Sequence, residues 1–282
     1  MAPVVRAGPA WPWSTPRNSC SRAPPASAPG WPPGRPVSGW QIRRLPVCAS
    51  TEWELDRWLR HSPPGPQGPD PWRAVVARRQ RHGQGQRGRP WCAPAGGVWL
   101  SAAFPWPGAS RAPANLPLAL AVGLARELEG LGLPVRIKWP NDLLVHGGKL
   151  AGLLPRQRWR GGRLLWAQAG IGLNGTNRVP PGAVSVAQAL ARSGGRRGPG
   201  PGRWHPQACP RRLEARVWSA LRWAMAQAGE AELVRDQAEQ RLWQPPEGVL
   251  VGEEPWQVAG LELDGRLRLQ RGAALTWLSR SF

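Results

Sequence analysis

The spacing of apolar positions divides the chain into stretches of different period. Over residues 1 to 38, "MAPVVRAGPAWPWSTPRNSCSRAPPASAPGWPPGRPVS", Pro, Ser and Gly interrupt every run, and a disordered extension is expected. Trp53, Leu55, Trp58 and Leu59 in "TEWELDRWLR" predict a short helix that "HSPPGPQGPDP" ends. "WRAVVARRQ" (72 to 80) and "GGVWLSAAF" (96 to 104) read as strands on either side of a glycine-rich loop. From Asn115 the period lengthens. Leu116, Leu120, Leu124, Leu128 and Leu131 recur at three and four residues behind a plausible N-cap, as in a helix laid on a sheet.

Strands return with "VRIKW", "DLLVH", "KLAGLLPRQRW" and "RLLWAQAGIGL", joined by "HGG" and "RGG" turns. A Gly/Pro/Arg loop over 191 to 210 leads to a second amphipathic helix marked by Leu213, Val217, Leu221 and Ala224, and a third is expected over about 230 to 243. "WQVAGLELDGRLRLQ" alternates around Asp264-Gly265, a hairpin signal that suggests a small β-barrel. The expected organisation is α+β: an extension over 1–38, a main domain over 39–245 and a small β-domain over 246–282.

Composition bears on partners. The net charge of +21 invites a nucleic-acid reading. Yet the charge runs from Arg6 to Arg280 without a dominant block, beside 19 Trp, 34 Pro, 35 Gly and no Tyr, which reads as a bias in residue usage. A basic nucleic-acid-binding protein stays open as an alternative. Cys20, Cys48, Cys92 and Cys209 lack C-x-x-C spacing, and the four histidines form no H-E-x-x-H pair, so neither set suggests a metal site. No apolar run approaches the roughly 20 residues of a membrane span, and a cytoplasmic setting is expected.

Two stretches carry candidate chemistry. "GQGQRG", Gly83 to Gly88, fits G-x-G-x-x-G, but Pro90 and Pro94 disfavour the helix that a dinucleotide fold needs, and the next acidic residue is Glu127. No G-x-x-x-x-G-K-[ST] is present. The second is "IKWPNDLLVHGGKLAGLL", residues 137 to 154, which holds both lysines of a chain with 38 basic residues. Lys138 closes one strand and Lys149 opens another, so a hairpin would direct both ammonium groups towards one cleft. A compact ammonium approaches a carboxylate and a phosphate together, where a guanidinium prefers bidentate geometry.

K-W-P-N-D (138–142), K-L-A-G (149–152), "AGIGLN" (169–174) and "QRHGQGQRGRPW" (80–91) together resemble the biotin protein ligase family, from about Ser50 to the C-terminal hairpin. The resemblance implies a class II synthetase-like catalytic domain, a mixed sheet with packed helices, and a small C-terminal SH3-like β-barrel. It also implies ATP with magnesium and biotin as substrates, biotinyl-5′-AMP as intermediate, and a lysine of a biotin carboxyl carrier protein as acceptor, with no specific DNA and no membrane as partners. By the same resemblance Lys149 bridges the biotin carboxylate and the α-phosphate, and Lys138 works beside it. Ser50, Thr51, Gln80, Gln84, Gly85, Gln86 and Gly152 fall on the biotin side. Arg87, Arg89, Trp91, Asn141, Asp142 and Asn174 fall on the nucleotide side, with no direct metal ligand unless Asp142 meets magnesium. The chain departs from the pattern where Glu52 replaces the Asn of S-T-N, and where Gln84 and Gln86 replace two arginines of the glycine loop. Looser retention of the intermediate, or compensation by Arg87 and Arg89, is expected. A lipoate or octanoate ligase is the alternative enzyme.

Overall fold

The computed structural model describes residues 39–64, 72–106, 115–160, 163–194 and 205–279. The extension expected over 1–38 lies outside the described residues. In chain order the elements begin with β1 (Trp40–Leu45), α1 (Thr51–His61), β2 (Trp72–Ala77), the two-residue strands β3 (Gly83–Gln84) and β4 (Pro90–Trp91), and β5 (Val98–Phe104). They continue with α2 (Leu116–Glu129), β6 (Val135–Lys138), β7 (Asp142–Val145), β8 (Gly148–Arg160) and β9 (Arg163–Leu173). Helices α3 (Val186–Arg192), α4 (Pro210–Ala226) and α5 (Ala231–Glu239) precede β10 (Val249–Val251), β11 (Glu254–Leu261), β12 (Leu267–Arg271) and β13 (Ala274–Leu278).

Seven strands form one sheet in the order β1-β2-β5-β9-β8-β7-β6. The β1–β2 pair is parallel and the remaining pairs are antiparallel. Alternation along β2 and β5 sends Ala74, Val76, Ala102 and Phe104 to one face, into the main core, and Val75 and Ala103 to the other, against α1. α2 lies on the main-core face. Its Asn115 cap accepts a hydrogen bond from Leu118 N (3.2 Å), and its Leu and Ala side chains are buried. Gly123 lets the α4 backbone approach, since a Cβ there would stand 2.6 Å from Ala220 O. The glycine-rich loop folds into a miniature hairpin, with Gly83 paired to Trp91 and Gln84 to Pro90. Arg87 turns it with φ 56°.

The expected C-terminal barrel is not what forms. β10 to β13 make an open four-stranded sheet whose edges are β10 and β13. Closure would require those edges to pair and the strands to stagger, and β10 has only three residues. The apolar face does not need closure. Val249, Val258, Leu261, Leu267 and Leu269 join the core built by the seven-stranded sheet and α2, so neighbouring elements cover it. Trp139 Nε1 donates to Gly265 O (2.8 Å) and Asn115 Nδ2 to Asp264 O (2.9 Å), pinning the Asp264-Gly265 turn to the β6–β7 turn and the cap of α2. β1 and α3 carry too few periodic positions to have been predicted; α3 is marked by a capping box of Ser185 and Gln188. Among the described residues no helix is long and apolar enough to cross a membrane.

Candidate active site

α1 covers only part of its face of the sheet, and the uncovered part is where the predicted residues collect. Gly152 of β8 pairs with Gly172 of β9, and Leu154 with Gly170. Three glycines on this face leave a bare backbone platform. Trp91 lies on it: a Cβ on Gly152 would stand 2.9 Å from Trp91 Cζ3, and one on Gly172 2.6 Å from Trp91 Nε1. β4 thus lays the indole across the centre of the site, over the glycine pair itself.

Lys149 reaches the same face through a β-bulge. Leu143 pairs with Ala151 and Leu144 with Lys149, which leaves Leu150 unpaired on β8. Leu150 points into the core and is fully buried, and the change of phase turns Lys149 onto the side of Gly152, whose added Cβ would meet Lys149 Cε at 3.3 Å. The strand is held there from its other edge: Lys149 N donates to Gly182 O (2.9 Å) and Val184 N to Lys149 O (3.0 Å). Lys149 Nζ pairs with Asp142 Oδ1 at 2.8 Å and stands 5.1 Å from the Trp91 ring centroid.

The other predicted residues divide into groups. Thr51 N (2.7 Å) and Thr51 Oγ1 (2.9 Å) both donate to Gln80 Oε1, and Thr51 Oγ1 also meets Ser101 Oγ at 2.8 Å. Ser50, at the N-cap of α1, is fully buried. Asn141 is buried and structural, its Nδ2 donating to Leu153 O (2.5 Å) while Leu153 N donates to Asn141 O (2.9 Å), so it staples β7 to β8 beyond the cis Trp139-Pro140 bond. Asn174 Nδ2 donates to Lys149 O at 3.4 Å. Lys138 Nζ stands over Trp243, 5.6 Å from its ring centroid, while Lys149 faces Trp91 and Asp142. Arg87 and Arg89 are exposed on the miniature hairpin, and Gln84 Nε2 donates to His82 O (3.0 Å).

Several neighbours of the predicted residues, Asn177, Arg156, Asp56 and Gln168, escaped the sequence reading. Asn177 Nδ2 donates to Asn174 Oδ1 (3.0 Å) while Asn177 Oδ1 accepts from Gly175 N (2.9 Å), fixing the orientation of Asn174. Only its place three residues after Asn174 signals it. Glu52 forms an ion pair with Arg156, which also reaches Asp56 Oδ2 at 3.2 Å, and Gln168 Nε2 donates to Asp56 Oδ1 at 3.1 Å. Burial pushes the Glu52 carboxyl above its ordinary value, against the pull of the Arg156 guanidinium. Cys48, bridged to Gln80, has its thiol raised to about 11 by burial and by the Glu54 carboxylate, so it is no thiolate nucleophile. Among the described residues no group of three or more His, Cys, Asp or Glu could hold a metal ion.

An ammonium beside a glycine-lined face, with buried polar side chains at one end, offers the positive charge and backbone access that a carboxylate or phosphate group would need. Residues 67–174, which carry β2 to β9, match the Biotin/lipoate A/B protein ligase family. Within that class the similarity is to biotin ligases. The chain is 37% identical over 116 residues to the biotin--[acetyl-CoA-carboxylase] ligase of Paracoccus denitrificans, covering 39% of this chain and 47% of that protein. It is 36% identical over 141 residues to the bifunctional ligase/repressor BirA of Escherichia coli (strain K12), covering 49% of this chain and 41% of that protein. The matches thus span less than half the length of these curated relatives. The fold is that of the Aquifex aeolicus biotin protein ligase solved in complex with biotin and ATP, with a TM-score of 0.57 over 84% of this chain and 94% of that one at 20% identity.

Proposed function

We propose that this site joins biotin to ATP as biotinyl-5′-AMP and passes the biotinyl group to a lysine of a biotin carboxyl carrier protein. The observation that carries the reading is Lys149, aimed by a β-bulge over the glycine platform and held 2.8 Å from Asp142. A carboxylate oxygen of biotin attacks the α-phosphorus, and pyrophosphate leaves with the bonding electrons. The acceptor amine then attacks the acyl carbon, AMP leaves, and the amine loses a proton. Neither step needs a side-chain nucleophile; both need an aligned pair of reactants and positive charge on the α-phosphate oxygens.

In this reading Lys149 supplies that charge where acid and phosphate meet. Ser50, Thr51, Gln80 and Gly152 bound the biotin end, with Gln84, Gly85 and Gln86 on the hairpin beside it. Asp142, Asn174, Arg87, Arg89 and Lys138 serve the nucleotide, and Asn141 acts by holding β7 against β8. Trp91 covers Gly152 and Gly172, so a ligand seated on these glycines would have to displace it and could then pack against its indole. Magnesium carried by ATP would draw most of its ligands from phosphate and water, and Asp142 would be the carboxylate to complete such a shell. The chemistry belongs in the cytoplasm, where ATP is supplied.

The test is biotin-dependent exchange of labelled pyrophosphate into ATP, with lipoate and octanoate in parallel. Exchange with biotin alone is expected. Exchange only with lipoate or octanoate replaces biotin as the substrate, and no exchange with any acid refutes the adenylation.

A further inference from the structure

Lys149 lies where regular pairing runs out. On β8 the ladder to β9 begins at Ala151, opposite Leu173, so Gly148, Lys149 and Leu150 extend past the end of β9. Their open edge is filled by a segment outside the named strands. Ala183 forms an isolated parallel bridge with Lys149, Lys149 N donates to Gly182 O (2.9 Å), and Val184 N donates to Lys149 O (3.0 Å). Asn174 Nδ2 reaches the same Lys149 O at 3.4 Å, and Asn174 N donates to Leu150 O (3.0 Å). The bulged backbone that aims the ammonium therefore depends on residues 182–184 and on Asn174.

Residues 182–184 are held in turn by the start of α3. Val186 N donates to Asn174 O (2.9 Å) and Ala187 N to Gly175 O (3.1 Å). Between Val184 and Val186 stands the buried Ser185, whose N donates to Gln188 Oε1 (2.9 Å) while its Oγ accepts from Gln188 N (3.2 Å). Along 184 to 187 the N–H groups thus bind Lys149, Gln188, Asn174 and Gly175 in turn, so the capping box sits between the bonds that hold the lysine and those that hold the asparagine. A reciprocal box fixes the backbone of its cap residue, and with it the direction in which Val184 enters. Val184 is buried against Gly148, where a Cβ would stand 3.0 Å from Val184 Cβ. Gln188 itself is exposed.

We propose that Ser185 and Gln188 are positioning residues for Lys149: their capping box sets the path of 182–184 and thereby the aim of the ammonium. This rests on the reading of Lys149 as the charge at the α-phosphate, and adds what keeps that charge in register with Asn174. Both side chains act through the backbone of 182–186 and not on a reacting group. Rates depend steeply on placement, about 10²-fold for a displacement of about 1 Å. A helix cap of minor weight in the stability of the whole chain therefore carries a large weight in the rate.

The test combines pyrophosphate exchange with amide hydrogen exchange, read by NMR, on the full chain. In Ser185→Ala combined with Gln188→Ala, the Lys149 and Val184 amides are expected to exchange at least about 10-fold faster while those of β5 are unchanged. The kcat of biotin-dependent exchange should fall about 10-fold, with KM for biotin within about twofold. Gln188→Glu keeps an acceptor for Ser185 N and is expected to retain wild-type values. In a Lys149→Met background, removing the box should change the rate by less than about threefold, because the group it aims is gone. Should the double variant fail to fold, Gln188→Ala alone carries the test from an exposed position, with about a threefold change in both readouts expected. Unchanged protection of Lys149 and Val184, or an equal loss of rate in the wild-type and Lys149→Met backgrounds, overturns the proposal. If those amides loosen in the double variant while the wild type exchanges pyrophosphate with no acid, the coupling of the box to Lys149 stands and the proposed function falls, which separates the two failures.

Discussion

Replacing Lys149 tests the site most directly, because its structural and chemical contributions differ greatly in size. The side chain is 36% exposed and its partner Asp142 18% exposed, so the ion pair is partly solvated. Solvated pairs contribute about 0–1 kcal/mol to stability. Lys149→Met should therefore lower the unfolding free energy by no more than about 1 kcal/mol. If the ammonium neutralises charge that develops on the α-phosphate, its loss resembles removal of one oxyanion donor, about 2.7–4 kcal/mol or 10²- to 10³-fold in rate. Lys149→Arg separates charge from shape. Gly152 and Trp91 crowd the lysine stem, with a Gly152 Cβ position only 3.3 Å from Cε and the Trp91 ring 5.1 Å from Nζ. A planar guanidinium lacks room there to touch two oxygens of different groups, and a loss of at least about tenfold is expected although the charge persists. Pyrophosphate exchange measures the first quantity and urea unfolding the second. Exchange in Lys149→Met within threefold of wild type, or a stability loss that accounts for the whole rate change, refutes the reasoning.

Gly172→Ala would set a Cβ 2.6 Å from the Trp91 indole, so the tryptophan must leave the platform; a change in Trp emission and a cost of about 1–3 kcal/mol in urea unfolding are expected. Gln80→Ala strips the acceptor shared by Thr51 N and Oγ1; about 1–3 kcal/mol of stability should go with it, together with a raised KM for biotin, and an unchanged KM counts against Thr51 and Gln80 lining the acid site. Asn177→Ala frees Asn174 and leaves Gly175 N unpaired, so KM for ATP should rise more than KM for biotin in steady-state assays. The pH dependence follows from Glu52, whose carboxyl burial raises. The folded state then prefers the protonated form, so its contribution is full below the ordinary carboxylate value and is lost as pH rises through the raised one. Glu52→Gln should flatten that segment of the stability profile in urea unfolding run across acid pH; an identical profile in the variant removes Glu52 as its source.

The sequence by itself determined most of the local elements and pointed to the candidate site. The period of Leu116 to Leu128 defined α2, the runs from Val135 to Leu173 defined the strands, and the confinement of lysine to positions 138 and 149 pointed to the segment of the proposed site. Tertiary structure decided what those elements did with one another. The alternation of "WQVAGLELDGRLRLQ" was real, but whether its apolar face closed on itself or lay on another surface depended on a neighbour, and the core beneath it made an open sheet sufficient. The pairing of Gly152 with Gly172, the bulge at Leu150 that turns Lys149, and the union of Glu52 with Arg156 across 104 positions all follow from register between strands. Register is fixed by long-range burial, because a slip of one residue would turn every side chain to the wrong face, and no short window of sequence records that.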